Sequence, residues 1–419
     1  MRLSKMSTMS SERATAFVWT WLPGATGPVV CGRVDRYDDE LRFAYGASYL
    51  RRDDAVALQP TGLPLVRGQQ RPDIMGAHGA IRDAAPDSWG MRVILRRLVG
   101  TTSNDVTDLP LLTYLLESGS NRIGALDFQA RSDEYVDRRT HGKLEELVTA
   151  AQRLEEGRPF SPELDDALTY GTAVGGARPK ALLVDDDGTE LIAKFSLSTD
   201  TFPWMQAEAV GMELARRCGV DVAPTRLIRS AGRHVLLVTR FDRPGGGVRR
   251  HVLSALTLLG LHELASRHGT YVDLAEQVRV SFVEPDDTLR EVFTRIVVNV
   301  LVGNTDDHPR NHAAFFDGVR LELTPAYDVC PQPRSGGEAT QAMVYDRNGQ
   351  KASRLATCVR AGAVYGLRTS EAQEIVDRCV AVVREQFDRV CADIGISDTT
   401  YRLLRGRAIA NPSVFYPAI

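Results

Sequence analysis

The stretch NVLVGNTDDHPRNHAAFFDGVRLELTPAYDVCP, Asn299–Pro331, decides how this chain is read. An apolar run, Ile296–Val302, ends at Gly303, and a polar loop follows that carries Asp306, Asp307, His308 and Asn311. Alternation then predicts a short strand at Ala313–Phe316, a turn at Asp317-Gly318 and a second strand at Arg320–Leu323. Asp328 lies a few residues beyond that strand. A hairpin with acidic and amide groups at both outer ends gathers hard oxygen ligands at one point. Such ligands suit Mg²⁺, which sits between one or two carboxylates and substrate phosphates. Phosphoryl transfer needs that metal clamp, a carboxylate to orient or deprotonate the attacking hydroxyl, and a cation on the nucleotide phosphates.

The remaining parts are sought upstream. A glycine loop, Thr172–Gly176, precedes a strand at Lys180–Val184, an Asp187-Gly188 turn and a second strand at Glu190–Phe195. Because strands and not a helix follow the loop, dinucleotide-binding and P-loop motifs are excluded. A glycine loop in a strand setting fits the phosphate-covering loop of kinase-like enzymes. Lys194 lies among Leu191, Ile192 and Phe195, so its ammonium either meets an anion or reaches outward to water. Only five residues are Lys in a chain with 51 basic residues, and a compact ammonium is not interchangeable with an Arg fork. Glu208, on an apolar-periodic helix closing at Gly219, is the candidate partner of Lys194, with Glu213 as its competitor. Strands at Pro224–Ile228 and His234–Val238 complete the sheet. The second runs into VTRFDRPGGG, where backbone groups of Thr239–Phe241 are placed to read an adenine edge.

Beyond Gly247 the pattern is helical, with helices expected at Ala255–Leu261, Tyr271–Ser281, Thr288–Leu301, Ser370–Ile394 and Asp398–Asn411. Before the glycine loop, short strands to about Tyr49 precede a helix opened by Pro86-Asp87-Ser88, a helix at Leu109–Glu117 and a strand at Arg122–Phe128. A helix at Lys143–Glu155 follows. The domain reading is a flexible lead over 1–13, an α+β subdomain over 14–130, a strand-rich lobe over 131–242 and a helical lobe over 243–419. A net charge of −3 over 419 residues gives no global drive toward nucleic acid or anionic membrane. Six scattered cysteines without a CxxC pair argue for reduced thiols, and no apolar run reaches membrane length. A cytoplasmic location is expected.

GGARPK, IAKF, TRFDR, NTDDHPRN and LTPAYDVCP, in that order and spacing, resemble the HipA-type serine/threonine kinases, the toxin half of HipBA-type toxin–antitoxin pairs. LPL (63–65), APDSWG (85–90) and GSNRIGAL (119–126) extend the resemblance through the N-terminal subdomain. It implies an α+β, two-lobed protein-kinase-like fold, with a strand-rich N-lobe, an all-helical C-lobe and an N-terminal HipA subdomain. It further implies that Asp306 is the catalytic base and that Asn311 and Asp328 bind Mg²⁺. His308 lies near the phosphates, in the same loop. The phosphate loop corresponds to Gly175, Gly176, Ala177, Arg178, Pro179 and Lys180. Lys194 resembles the phosphate lysine, and Thr239, Arg240 and Phe241 the adenine hinge, with Asp242 beyond it. Tyr327 is counted among the ATP-binding positions, beside Asp328.

The expected cofactors are ATP and Mg²⁺, and the expected substrate is a bacterial protein; known family targets include aminoacyl-tRNA synthetases. The expected partner is a HipB-like helix-turn-helix antitoxin, with DNA reached only through it and no membrane contact. Where many members carry an autophosphorylated serine this chain has Ala173, so Thr172 is the candidate site if that control exists. The basic run used for DNA contact in some members corresponds to Asn348–Ser353, which holds only Lys351.

Three other readings share these residues. A metal hydrolase would use Asp306, Asp307, His308 and His312, but Pro309 opposes a shared helical face and the HExxH glutamate is missing. A small-molecule phosphotransferase would keep Asp306, Asn311 and Asp328 with a different acceptor cleft. A catalytically weak, antitoxin-binding co-repressor would need a defect in the chemical residues.

Overall fold

The computed structural model describes residues 14–100, 105–138, 144–155, 178–197, 199–334 and 336–418. The 1–13 lead and the candidates Thr172, Gly175, Gly176 and Ala177 lie outside these residues. The chain divides into two compact units. The first comprises Met1–Ser198, Arg229–Leu253 and Phe315–Val319; the second comprises Thr199–Ile228, Ser254–Ala314 and Arg320–Ile419.

The first unit opens with strands β1 (Thr15–Thr20), β2 (Val29–Tyr37), β3 (Glu40–Tyr45) and β4 (Gln69–Gln70). With β5 (Leu126–Gln129) they form an antiparallel sheet in the order β4-β3-β2-β1-β5. Val18, Val34, Phe43 and Phe128 fill its buried face. Gly32 is required there, because a Cβ would stand 2.3 Å from the Ala44 carbonyl oxygen of the neighbouring strand. Helices α1 (Gly79–Asp83), α2 (Ser88–Val99) and α3 (Leu111–Glu117) follow. Asp87 begins α2 by accepting the Gly90 N–H at 2.6 Å, the N-cap that Pro86-Asp87-Ser88 predicts. Helix α4 (Leu144–Glu155) follows, then β6 (Lys180–Val184) and β7 (Glu190–Phe195). Strands β8 (Thr225–Ser230) and β9 (Arg233–Thr239) come later in the chain, and β7 pairs antiparallel with both β6 and β9 to make the second sheet of this unit.

The second unit is mainly helical. It contains α5 (Trp204–Arg217), α6 (Ala255–Leu258), α7 (Tyr271–Ser281), α8 (Pro285–Val302), α9 (Leu355–Ala361), α10 (Thr369–Ile394) and α11 (Asp398–Leu404). Helix α8 is apolar nearly all round, and Leu289, Phe293, Val297, Val300 and Leu301 are all buried. Helices α5, α7, α9 and α10 pack around it, which is the burial such a helix requires. Its C-terminus is closed by Gly303 at φ +73°, where a Cβ would meet the Ala408 carbonyl oxygen at 2.5 Å. The polar loop that carries Asp306 therefore starts from a fixed, glycine-only corner.

Boundaries differ from the expectations for local reasons. Helix α8 starts three residues early because Pro285 suits the first turn and Asp286 and Asp287 complement its dipole. The strand expected at Arg122–Phe128 begins only at Leu126, since Gly124 turns at φ +78° and Arg122 is buried as a hydrogen-bond donor. The helix expected to reach Asn411 stops at Leu404, before Gly406 at φ +70°.

Candidate active site

In the second unit the loop after Gly303 is built from the inside. Asn304 donates its backbone N–H to the Asn299 carbonyl at 2.9 Å and its side-chain amide to Asn299 Oδ1 at 3.0 Å. Asn299 Nδ2 in turn donates to Asp307 Oδ2 at 2.6 Å. His312 Nε2 stands 3.1 Å from Asp307 Oδ1 and 3.1 Å from the Tyr271 hydroxyl. Asp307, His312, Asn299 and Tyr271 are all buried. Two adjacent carboxylates therefore have opposite environments: Asp307 is enclosed in this network, and Asp306 is exposed.

The turn Pro309–Asn311 carries Asn311 inward to 7% exposure. The Tyr327 hydroxyl donates to the Arg310 carbonyl at 2.7 Å, so the residues next to Asn311 and next to Asp328 are joined directly. Asp328 adopts φ +62°, a left-handed conformation uncommon outside glycine, though Asp is among the residues that tolerate it best. The backbone beyond it is pressed against α5: a Cβ at Gly211 would lie 2.2 Å from the Val329 carbonyl oxygen. One turn earlier on α5, Glu208 is a buried carboxylate. Its competitor Glu213 is held instead by Arg216 and Arg217, at 2.7–2.8 Å.

His312, the alternative metal ligand, has its Nε2 occupied by Asp307 and Tyr271 and serves the loop's framework. Among the described residues no cluster of three or more His, Cys, Asp or Glu is placed to hold a metal ion. Asn311 and Asp328 offer one amide and one carboxylate. That donor set suits a Mg²⁺ that completes its shell with phosphate and water.

The first unit holds the cationic candidates. Lys180 and Lys194 are directly opposed across β6 and β7. Like charges so placed repel unless an anion lies between or beside them. Lys180 is 4% exposed, and its Nζ stands 3.5 Å from Asp87 Oδ2, so the carboxylate that caps α2 also neutralises β6. Lys194 is half-exposed on the same face of the sheet. Arg178 is half-buried and Pro179 buried just ahead of Lys180.

Thr239 ends β9 opposite Leu191, and the Arg240 N–H donates to the Glu190 carbonyl. The Arg240 guanidinium binds Asp242 at 2.8 and 3.0 Å, Asn121 Oδ1 at 2.6 Å and the Arg122 carbonyl at 2.7 Å. Arg243 also pairs with Asp242, at 2.7 Å. Arg240 therefore ties the second sheet to the 119–126 segment, a framework role the sequence did not suggest. Phe241 packs edge-on against Phe315 at 5.7 Å. Burial alone would push the Asp242 carboxyl up, but the Arg240 and Arg243 charges and the Gly124 N–H outweigh it and hold it well below the ordinary range.

A sequence model of the HipA-like C-terminal domain matches residues 172–387, slightly more than half of the chain. The chain belongs to the HipA-like family. A putative kinase, Y4mE of Sinorhizobium fredii, is 27% identical over 323 residues, covering 70% of this chain and 73% of the relative. The serine/threonine-protein kinase toxin HipA of Shewanella oneidensis is 26% identical over 213 residues, 45% of this chain and 48% of that protein. A chain of the solved HipA, HipB and operator DNA complex of Shewanella oneidensis MR-1 superposes with a TM-score of 0.62. That match covers 93% of this chain and 94% of that one at 17% identity. The HipA-like chain thus has the α+β, two-lobed kinase-like fold that its motifs imply. Among its described residues no helix is long and apolar enough to cross a membrane.

Asp242→Asn is expected to cost about 3–5 kcal/mol at pH 7, the loss associated with breaking a buried ion pair. A depressed folded pKa gives stability that is present above the unfolded value of about 3.9 and lost as pH falls through the folded one. The gap between wild type and variant in urea denaturation should therefore shrink below about pH 4.

Proposed function

We propose that this chain is an ATP- and Mg²⁺-dependent protein serine/threonine kinase acting as the toxin of a toxin–antitoxin pair. The observation that carries this reading is the exposed Asp306 on a loop whose neighbours Asp307 and Asn311 are buried and fixed. A base that must meet a macromolecular hydroxyl needs exposure and a rigid support. In the proposed reaction Asp306 orients the acceptor hydroxyl and takes its proton. The acceptor oxygen bonds to the γ-phosphorus, the bond to the bridging oxygen breaks, and ADP leaves with that electron pair. Asn311 and Asp328 would hold Mg²⁺, which when bound neutralises charge on the phosphates. Lys194 would place its ammonium on the nucleotide phosphates, and Arg178 and Lys180 belong to the loop 175–180 that would cover them. Backbone at Thr239–Phe241 would read adenine; because the Arg240 N–H already serves the sheet, Arg240 would contribute its carbonyl.

The partner reading rests on relatives: a HipA protein was solved with HipB and its operator DNA. A HipB-like helix-turn-helix antitoxin is the proposed partner here, with DNA reached through it. A phosphotransferase acting on small molecules would share every site residue, so the acceptor is the point to test.

With γ-labelled ATP, Mg²⁺ and a bacterial lysate, label should enter serine or threonine of a protein. Label confined to sugars or small amines would overturn the protein-kinase reading in favour of the small-molecule one. Lys194→Arg, which keeps the charge but replaces a point ammonium with a planar fork, should raise the ATP requirement about tenfold or more, the loss of one charge-assisted hydrogen bond. Unchanged turnover and ATP dependence would mean that Lys194 simply faces water at the sheet.

A further inference from the structure

Behind the catalytic loop, wholly within the second unit, lies a small cavity whose wall includes Arg295, Asn299, Asp307, Asn311, His312 and Tyr327. Arg295 and His312 are 4% and 3% exposed, and each has one side-chain nitrogen without a hydrogen-bond partner among the described residues: Arg295 Nη1 and His312 Nδ1. The rest of the Arg295 guanidinium is engaged, Nε with Glu291 Oε1 and Nη2 with the Thr324 carbonyl, both at 2.9 Å. Buried polar atoms are almost always hydrogen-bonded, so two unpartnered nitrogens on residues that line one cavity call for a shared explanation.

The imidazole tautomer supplies it. His312 Nε2 faces the Asp307 carboxylate at 3.1 and 3.2 Å, so in the neutral imidazole Nε2 is the nitrogen that carries the proton and Nδ1 the one that presents a lone pair. The wall then offers one donor, Arg295 Nη1–H, and one acceptor, His312 Nδ1. An anion would satisfy the first and be repelled by the second. A water satisfies both, and the cavity has room for about one.

We propose that an ordered water occupies this cavity, accepting from Arg295 Nη1 and donating to His312 Nδ1. The water completes a buried chain that runs from helix α8 through Arg295 and His312 to Asp307. It fixes the His312 tautomer and braces the segment that carries Asn311. Arg295, eight residues before Gly303 closes its helix, becomes a positioning residue for that loop. The proposal is independent of whether the chain phosphorylates a protein.

The test is a crystal structure of the full chain at a resolution that places waters, with a parallel bromide soak and ¹⁵N NMR of the labelled histidines. The expected result is one water peak within hydrogen-bonding distance of both nitrogens, no bromide signal there, and an unprotonated Nδ1 on His312. A cavity without density, a bromide ion in it, or a proton on Nδ1 would overturn the proposal. Arg295→Met should lose the water peak and Arg295→Lys should keep it; a water unmoved in Arg295→Met would equally count against it. If the Met variant does not fold, the wild-type crystal and NMR results still decide.

Discussion

The hydrogen bonds that Asp307 accepts from Asn299 and His312 are the constraint on which the 304–312 loop depends. They pull one of two consecutive carboxylates into the interior and so leave its neighbour, Asp306, turned outward. Asn299 lies in the last turns of α8, a helix buried on nearly every side, so the loop inherits the rigidity of the helical core. Gly303 lets the chain leave that helix at a sharp angle, and the Tyr327–Arg310 bond joins the segments carrying Asn311 and Asp328. Each contact is modest by itself. Together they hold polar groups in place where water would otherwise compete for them.

In the first unit the same logic appears with charges. Asp242 is buried between Arg240 and Arg243, and Asp87 beside Lys180. Lys180 with Asp87, Arg240 with Asn121 and Asp242 with the Gly124 N–H join the strand-rich sheet to segments of the N-terminal subdomain, the last two across 119 and 118 residues. A buried pair is weak evidence for added stability, but it is strict about register, because separating its members strands a charge. The strands carrying Lys180, Lys194 and Thr239 are thereby held in one alignment.

Much of this was legible in the sequence. Alternation and turn residues located β6, β7 and the two strands Ala313–Phe316 and Leu321–Leu323, and the apolar run before Gly303 located the end of α8. Asp306, Asn311 and Asp328 stood out because their chemistry is concentrated in a short stretch. The framework was less visible. His312 was separated from the metal candidates, but its partner Tyr271 is 41 residues away and on another helix. Arg240 read as a hinge residue because TRFDR stands at the end of a strand, whereas its decisive partner, Asn121, is 119 residues distant. Local patterns report periodicity and caps; they carry no signal for which distant polar group a buried guanidinium or imidazole will meet. The conformation of Asp328 was likewise hidden, since a left-handed φ at Asp is imposed by the neighbouring segments.

The central claim is that adjacent carboxylates divide the labour, Asp306 for chemistry and Asp307 for structure. The most direct measurement compares Asp306→Asn with Asp307→Asn in both thermal unfolding and phosphoryl transfer. Asp306→Asn should unfold within about 0.5 kcal/mol of wild type and lose transfer by about 10²–10⁴-fold. Asp307→Asn should be destabilised by about 1–3 kcal/mol, since it weakens the bonds to His312 and Asn299. A stable Asp307→Asn protein without activity, beside an active Asp306→Asn protein, would contradict the account.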